Sequence, residues 1–479
     1  MCGRRSAFCY TARSPESEPD VTDTSFASLP LAPAQLRNLD DLGYSAMTAI
    51  QAAALPLAMS GRDLIGQAMT GSGKTAAFAL PLLDRLNPRD FGTQALVLCP
   101  TRELASQVAG EIRRLARYQP NIKVVTLCGG QAIGPQIGSL AHGAHVVVGT
   151  PGRLKDHLRK NTLDLSRVNC LVLDEADRML EMGFIEDIET IIQATPAARQ
   201  TLLFSATFPA DIQAMSGRFQ QAPERVSVES PQERLQIDQQ FFICQPQERL
   251  DGLVKLLGHF QPEAAVVFCN TRQLVREVGT HLRQQGISVA ELHGDMEQRD
   301  RDQVLVQFRQ RSTRVLVATD VAARGLDIDD LAAVINVELP RSTEVYVHRI
   351  GRTGRGGKSG LAASLFTDNE RYLLDAIGQL QQQRISFEAI AAVAWSDERL
   401  APPQFVTLCI AGGRRDKVRP GDILGALTGE AGIDGRAVGR IDVMDNMTCV
   451  AIAADTADTA LGRLLNGKIK GRKFKVRKL

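Results

Sequence analysis

Two tandem α/β domains with buried parallel sheets, followed by a small α+β domain, form the fold class that this sequence predicts. It follows from an internal duplication, from apolar runs alternating with helical segments in each copy, and from a basic C-terminal stretch. The chain has 479 residues, room for about three domains. Its 23% charged and 44% hydrophobic residues are ordinary for a globular protein, which excludes a disordered or membrane-embedded chain.

The duplication shows as blocks repeated in order. Residues 95–115 read ALVLCPTRELASQVAGEIRRL, and residues 265–285 read AVVFCNTRQLVREVGTHLRQQ. Each is an apolar strand ending in Cys, a polar-Thr-Arg turn and an amphipathic helix. KVVTLCGG (123–130) pairs with SVAELHGD (288–295), and HVVVGTPGRL (145–154) with RVLVATDVAARGL (314–326). An offset of about 165–170 residues is too long for a solenoid repeat and suits a duplicated domain. The Val/Leu/Ile runs read as strands buried on both faces, hence parallel sheets.

Composition sets the boundaries. Residues 1–24 are a polar tail, 25–230 the first copy, 231–236 (PQERLQ) a linker and 237–385 the second copy. A second linker, 386–403, passes Trp395 and Pro402–Pro403 before the small domain 404–479. Nine cysteines stand singly, mostly in apolar runs such as those holding Cys99, Cys170 and Cys269. That is buried-strand usage in a reducing compartment, not a disulfide framework or a zinc site. No run approaches the roughly 18 apolar residues of a membrane span, and the first 24 residues have no secretory core. The expected location is cytoplasmic. Residues 401–479 hold 14 Lys and Arg against 8 Asp and Glu, leaving 42 against 46 for the rest. A basic end on a near-neutral body points to a polyanionic partner, although such a charge also serves solubility.

Chemistry enters at residues 63–86. The strand DLIGQA is followed by MTGSGKT and a helical AAFALPLLDRL, the strand–loop–helix context of a phosphate-binding loop. Gly71 and Gly73 free backbone N–H groups to close around phosphate oxygens, and the helix N-terminus adds its positive end. Lys74 would reach the β- and γ-phosphates and Thr75 would ligate Mg²⁺. Taken alone, the segment is also compatible with a glycine turn opening a helix. LVLDEAD (171–177) supplies the second half: a strand delivers Asp174 to hold Mg²⁺ and Glu175 to orient or deprotonate water. The second copy has no such loop but carries YVHRIGRTGR (346–355), whose arginines at three-residue steps suit phosphate-sensing fingers or a solvated basic face. One ATP between the copies is therefore expected.

From about residue 26 to 385 the chain resembles DEAD-box RNA helicases, motif by motif and in order, which implies two RecA-like domains. The resemblance makes Phe26 and Gln51 the adenine-recognition elements, although Met47 and Ala49 stand where the family usually has prolines, which implies a less rigid loop. Ala68, Met69, Thr70, Gly71, Ser72, Gly73, Lys74 and Thr75 form the phosphate loop. Gly325 and Asp327 approach the ribose, and Arg352 and Arg355 sense the γ-phosphate, with His348 counted among the catalytic residues. RNA contacts are implied for Pro100, Thr101, Arg102, Gly130, Thr150 and Arg153 on the first copy, and Thr271, Arg272, Arg299 and Thr319 on the second. Thr hydroxyls, Arg forks and Gly N–H groups suit backbone contacts that read no bases. Each such segment is, by itself, equally an ordinary strand-end turn. Asp177, Ser205, Thr207 and Arg349 are the implied coupling residues, Arg349 acting between the two copies.

Residues 405–479 resemble the C-terminal domain of DbpA-type helicases, an RRM-like fold that docks on a ribosomal RNA hairpin. TLCIAGG (407–413), the basic run 414–419, RPGDILGAL (419–427) and GKIKGRKFKVR (467–477) carry the match. An RRM stacks bases on aromatics of its central strands; here VTLCI and MTCVAI have none, and Phe405 and Phe474 are the module's only aromatics. The expected RNA surface is therefore Arg414, Arg415 and Lys417 with Lys470, Arg472 and Lys473 of the tail, where seven of the last twelve residues are basic.

The expected protein is a monomeric ATP- and Mg²⁺-dependent RNA helicase. It unwinds RNA locally, is recruited to large-subunit ribosomal RNA or pre-ribosomal particles, and needs neither membrane nor obligate protein partner. The alternatives are a helicase or RNA chaperone without ribosomal preference, an RNA-clamping scaffold, a DNA helicase, and a protein-binding C-terminal module.

Overall fold

The computed structural model describes residues 24–68, 71–208, 210–228, 237–323, 331–354, 359–394, 400–429 and 432–479. The first sheet is all parallel and comprises β1 (Leu64–Gln67), β2 (Ala95–Leu98), β3 (Val124–Leu127), β4 (Val146–Gly149), β5 (Cys170–Asp174), β6 (Gln200–Ser205) and β7 (Glu224–Ser227). Its spatial order is β3-β4-β2-β5-β6-β1-β7. The second sheet comprises β8 (Ile237–Ile243), β9 (Ala265–Cys269), β10 (Val289–Leu292), β11 (Val315–Thr319), β12 (Ala333–Asn336), β13 (Gly360–Phe366) and β14 (Glu388–Ala389), also all parallel. Its order is β10-β11-β9-β12-β13-β8-β14. Counted within each copy, the two orders are identical, so the repeated blocks are repeated strands and crossovers.

Parallel strands need crossover helices, and these bury both sheet faces. Every residue of β2, β4, β5 and β6 is accordingly buried. The central strands of the second copy, β9, β11 and β12, are buried likewise. Within the span expected as a linker, 386–403, Glu388–Ala389 pair in parallel with Phe242–Ile243. The chain thus adds an edge strand before leaving the sheet, and Ile390 and Val393 join that domain's core. Their apolar side chains cover the flank of β8, which an unstructured linker would leave bare.

The C-terminal module is an antiparallel sheet of β15 (Phe405–Ile410), β16 (Val438–Val443), β17 (Thr448–Ala453) and β18 (Val476–Lys478), ordered β16-β17-β15-β18. Strand alternation sorts its faces. Leu408, Ile410, Val450 and Ile452 pack on the helices Pro420–Thr428 and Ala457–Asn466. Cys409 and Cys449, on the opposite face, pack with Val306 of the second helicase domain. There the buried Gln310 donates to Asp442 Oδ2 (2.9 Å) and to the Cys449 carbonyl (3.1 Å), and accepts from the Thr407 hydroxyl (3.0 Å). Three satisfied bonds make a buried amide affordable at this contact. The module's outer sheet face is therefore a covered surface.

Candidate nucleotide and RNA sites

Sheet order decides which motifs meet. β5, β6 and β1 are neighbours, so the loops after them converge at one carboxyl edge of the first sheet, the usual ligand position of open α/β sheets. β6 stands between the phosphate-loop strand β1 and the Asp174 strand β5. That places the Ser205–Thr207 segment, at the end of β6, inside the same cluster.

The phosphate loop leads into the helix Lys74–Asp84, with Gly73 in the left-handed region at φ 92°. A Cβ there would lie 2.4 Å from Gln51 Nε2, so only glycine leaves room for this contact. Gln51 is buried. Its Nε2 donates to the Gly73 carbonyl (3.0 Å) and its Oε1 accepts from Thr48 N (2.9 Å). Thr48 Oγ1 donates to the Ser72 carbonyl (2.7 Å). Thr48 and Gln51 thus brace the glycine loop, and Gln51 keeps one N–H and one lone pair unused by these bonds. Thr48 joins this brace through the Thr-x-x-Gln capping box that the sequence carries. Ala49 is the first residue of the helix Ala49–Met59, where a residue without the proline ring is equally accommodated. Met47 N donates to the Thr24 carbonyl (2.7 Å), a bond that a proline at this position could not make. Phe26 is buried edge-on against Tyr44, ring centroids 6.1 Å apart, and Tyr44 donates to Glu111 (2.7 Å).

Lys74 Nζ is buried and donates to the Ala68 carbonyl (2.9 Å). Thr75 follows it on the helix. Asp174 and Glu175 are both buried, and Asp174 Oδ1 and Glu175 Oε2 have no hydrogen-bond partner among the described residues. Burial pushes the Asp174 carboxyl up to about 7; Lys74 opposes the push and Glu175 adds to it. Orphaned carboxylate oxygens beside a lysine are what a divalent cation and its phosphates would satisfy, so the residues present fit Mg²⁺. Glu175 occupies the left-handed region at φ 54°, ψ 53°. For a residue with a Cβ this costs roughly 1–2 kcal/mol, a strain typical of functional turns. Arg178 Nε lies 3.8 Å from Glu175 Oε2, a buried ion pair that sequence reading did not find.

Asp177 completes the cluster. Its Oδ2 accepts from Ala206 N (3.2 Å), Thr207 N (2.9 Å) and Thr207 Oγ1 (2.9 Å), and Ser205 Oγ accepts from Asp177 N (3.3 Å). Burial alone would raise this carboxyl, but Thr207's backbone bond, the Lys74 charge and the side-chain bonds bring it below its usual value. It is held charged, with its charge fully used.

The candidate RNA segments occupy the other half of each sheet edge. In the first, Pro100–Arg102, Gly129–Gly130 and Thr150 follow β2, β3 and β4, which are adjacent. Gly130 has φ 73°, and a Cβ there would run into the Arg102 guanidinium. Thr101 Oγ1 accepts from Leu104 N (3.2 Å), and Arg153 lies on the helix Pro151–Arg159, opened by Thr150. In the second domain, Thr271–Arg272 follow β9 and Thr319 ends β11, the topological counterparts of β2 and β4. Thr271 caps the helix Arg272–Gln284, Arg272 pairs with Asp295, and Arg299 lies exposed on the helix Gln298–Arg309.

Arg349 lies at the strand ends of the second domain. It is buried, and its guanidinium donates to both Asp320 oxygens (2.6 and 2.7 Å), Asn336 Oδ1 (3.1 Å), the Glu338 carbonyl (3.0 Å) and Asn270 Oδ1 (2.7 Å). Its five N–H donors tie together the ends of β9, β11 and β12 of the second domain. His348, half-buried, shares its helix Thr343–Ile350, and the buried Arg352 follows that helix. Met69, Thr70, Gly325, Asp327 and Arg355 lie outside the described residues, as do the tail 1–23 and the linker 231–236.

In the module, Arg414, Arg415, Lys417, Lys470, Arg472 and Lys473 are all exposed. Lys470 Nζ donates to the Lys417 carbonyl (3.1 Å), bringing the basic loop and the basic tail together. Phe474 is half-buried against Gly412, so its ring serves packing.

Comparison with known proteins agrees with this arrangement. Residues 48–215 match the DEAD/DEAH box helicase family, 248–357 the helicase conserved C-terminal domain, and 407–478 the DbpA RNA binding domain. The chain is 51% identical to the ATP-dependent RNA helicase DbpA of Escherichia coli (strain K12), over 95% of this chain and 100% of that one. It is 44% identical to the DEAD-box ATP-dependent RNA helicase CshA of Bacillus subtilis (strain 168), over 75% and 73% of the two chains. Among solved structures it resembles S. cerevisiae Dbp5 bound to RNA and ADP BeF3, with TM-score 0.70 and 31% identity, covering 76% of this chain and 95% of that one.

Proposed function

The chain belongs to the DEAD-box ATP-dependent RNA helicases of the DbpA type, and from that premise we propose that it separates short RNA duplexes locally on large-subunit ribosomal RNA, directed there by its C-terminal module. As a member it hydrolyses ATP and carries an RNA-binding domain. The observation that carries the finer reading is the sorting of each sheet edge into two halves. The loops after β5, β6 and β1 hold Lys74, Asp174, Glu175 and the Asp177–Thr207 clasp, while those after β3, β4 and β2 hold the candidate RNA contacts.

In this reading Lys74 leaves Ala68 for the phosphates, and Thr75 and Asp174 hold Mg²⁺. The metal supplies charge neutralisation on the phosphate oxygens. Glu175, fixed by its strained turn and by Arg178, aligns a water or takes its proton. Arg352 and Arg355 supply positive charge from the second domain. A relative whose solved structure holds RNA and ADP BeF3 together supports simultaneous binding of both. Each ligand then raises the other's affinity, and RNA stimulates hydrolysis. In the module, the covered sheet face leaves the joined basic loop and tail as the RNA surface. The protein is expected to act as a cytoplasmic monomer; among the described residues no helix is long and apolar enough to cross a membrane.

The test is steady-state ATPase activity with fragments of large-subunit ribosomal RNA, unrelated structured RNA and DNA. Removing residues 404–479 would uncover Val306 and Gln310, so the comparison uses the full chain with Arg414 and Arg415 changed to Ala. Preferential activation by a ribosomal fragment, lost in the double variant, is expected. Equal activation by all RNAs would leave a general RNA helicase, and equal activation by DNA would overturn the RNA reading.

A further inference from the structure

Strand register brings two of the scattered cysteines together. Cys409 on β15 stands directly opposite Cys449 on β17, and both side chains lie on the face covered by Val306. Antiparallel pairs alternate between hydrogen-bonded and open positions, and the bond pattern assigns this one. The Thr407 carbonyl accepts from Leu479 N, and Ala411 N donates to the Lys475 carbonyl, so odd-numbered residues of β15 turn their backbone groups toward β18. Gln404, of the other parity, accepts from Ala454 N at the β17 side. The Cys409–Cys449 position is therefore an open one, where Cα atoms stand about 4.5 Å apart and side chains are closest. That separation falls at the short end of the roughly 4.4–6.8 Å that a disulfide spans.

We propose that Cys409 and Cys449 are a peroxide-sensitive thiol pair that closes to a reversible cross-strand disulfide within the C-terminal module. The neighbouring Cys449 thiol, with the charges of Arg477 and Arg299, holds Cys409 below the usual thiol range against the opposing effect of burial. Cys449 is pushed up by its Cys409 partner, by burial, and by the neighbouring Asp442. Met447 Sδ lies 3.9 Å from Cys409 Sγ and completes the thiol's surroundings. Cys409 is thus the nucleophile and Cys449 the resolving thiol. The Cys409 thiolate attacks one peroxide oxygen, the O–O bond breaks, and hydroxide leaves and takes up a proton. The sulfenic acid so formed is attacked by the Cys449 sulfur; its S–O bond breaks, and a second water departs with the Cys449 proton. The two thiols together lose two electrons and hydrogen peroxide gains them. A dithiol reductant reverses the step.

Cys170 stands in register with Ala95 and Gln200, and Cys269 with Thr319; with Cys99, Cys128 and Cys244 they are buried thiols in or beside the helicase sheets. Burial pushes the Cys170 thiol up to about 12, which makes it a natural internal control.

The test treats the folded full-length protein with hydrogen peroxide, blocks free thiols and maps tryptic peptides. The expected product links peptides 400–414 and 441–463, is two hydrogens lighter than the separate thiols, and disappears with dithiothreitol. In Cys449→Ser the reaction should stop at a Cys409 sulfenic acid that a cyclic 1,3-diketone traps. In Cys409→Ser, Cys449 should stay reduced. Alkylation of Cys409 in the native wild type should outpace that of Cys170 by on the order of tenfold or more. Wild-type protein that yields no linked peptide, or that alkylates both cysteines at the same rate, would overturn the proposal, whatever the variants do.

Discussion

Thr207→Val removes one hydroxyl from the clasp between Asp177 and the Ser205–Thr207 segment and leaves the shape almost unchanged. Three donors converge on Asp177 Oδ2, and Arg178 N serves Oδ1 at 3.0 Å. A hydrogen bond to a charged acceptor is worth about 1.5–3 kcal/mol. Two backbone donors remain on Oδ2, so the carboxylate is not stranded and the loss belongs at the lower end, about 1.5 kcal/mol. That is about a tenfold shift between clasped and released segment. Lys74 and Glu175, the residues proposed to act at the phosphates, are untouched. If strand separation draws on the clasp, RNA strands displaced per ATP hydrolysed should fall about tenfold, with hydrolysis itself changed by less than about threefold. The assay counts displaced strand and released phosphate in the same reaction at saturating ATP. Thr207→Ser keeps the hydroxyl and should behave as wild type. An unchanged ratio, or a serine variant as defective as valine, would refute the clasp as the coupling element.

Other expectations follow from single contacts. Glu175→Gln should reduce turnover by a hundredfold or more, on the order expected when a positioned base is lost, yet retain ATP-dependent RNA binding in a filter assay. Gln51→Ala removes a cap worth about 0.5–2 kcal/mol and the brace on the Gly73 carbonyl, so KM for ATP should rise by about tenfold in initial-rate measurements. Arg349→Leu strands Asp320 beside a buried apolar side chain and should cost about 3–5 kcal/mol of second-domain stability in urea unfolding. Changing Arg414 and Arg415 to Ala, if both touch phosphate, should flatten the log Kd against log salt slope by about 1.4–1.8.

Much of this was legible without coordinates, for identifiable reasons. Parallel strands buried on both faces must be written as apolar runs, so LVLD, VVFC and VLVAT announced themselves, and their duplication announced the second domain. Phosphate loops need glycine and lysine at fixed spacing, because backbone N–H groups and one long cation do the binding. Arg349 was harder. One more arginine in a basic run gives no sign that it will be the buried brace of three strand ends. The covered face of the module was equally hidden, since the missing aromatics showed only that bases were not expected to stack there, not that Gln310 would be standing on it.

The sequence by itself determined which residues could bind phosphate, metal and RNA, because those capacities belong to side-chain types at short range. Only the tertiary structure decided which of them meet. Sheet order put β6 between β1 and β5, strand parity set Cys409 against Cys449 across 39 intervening positions of chain, and packing turned a sheet face inward. Such juxtapositions arise from long-range pairing, whose register and crossover order are fixed by the packing of the whole domain and leave no local mark in the chain.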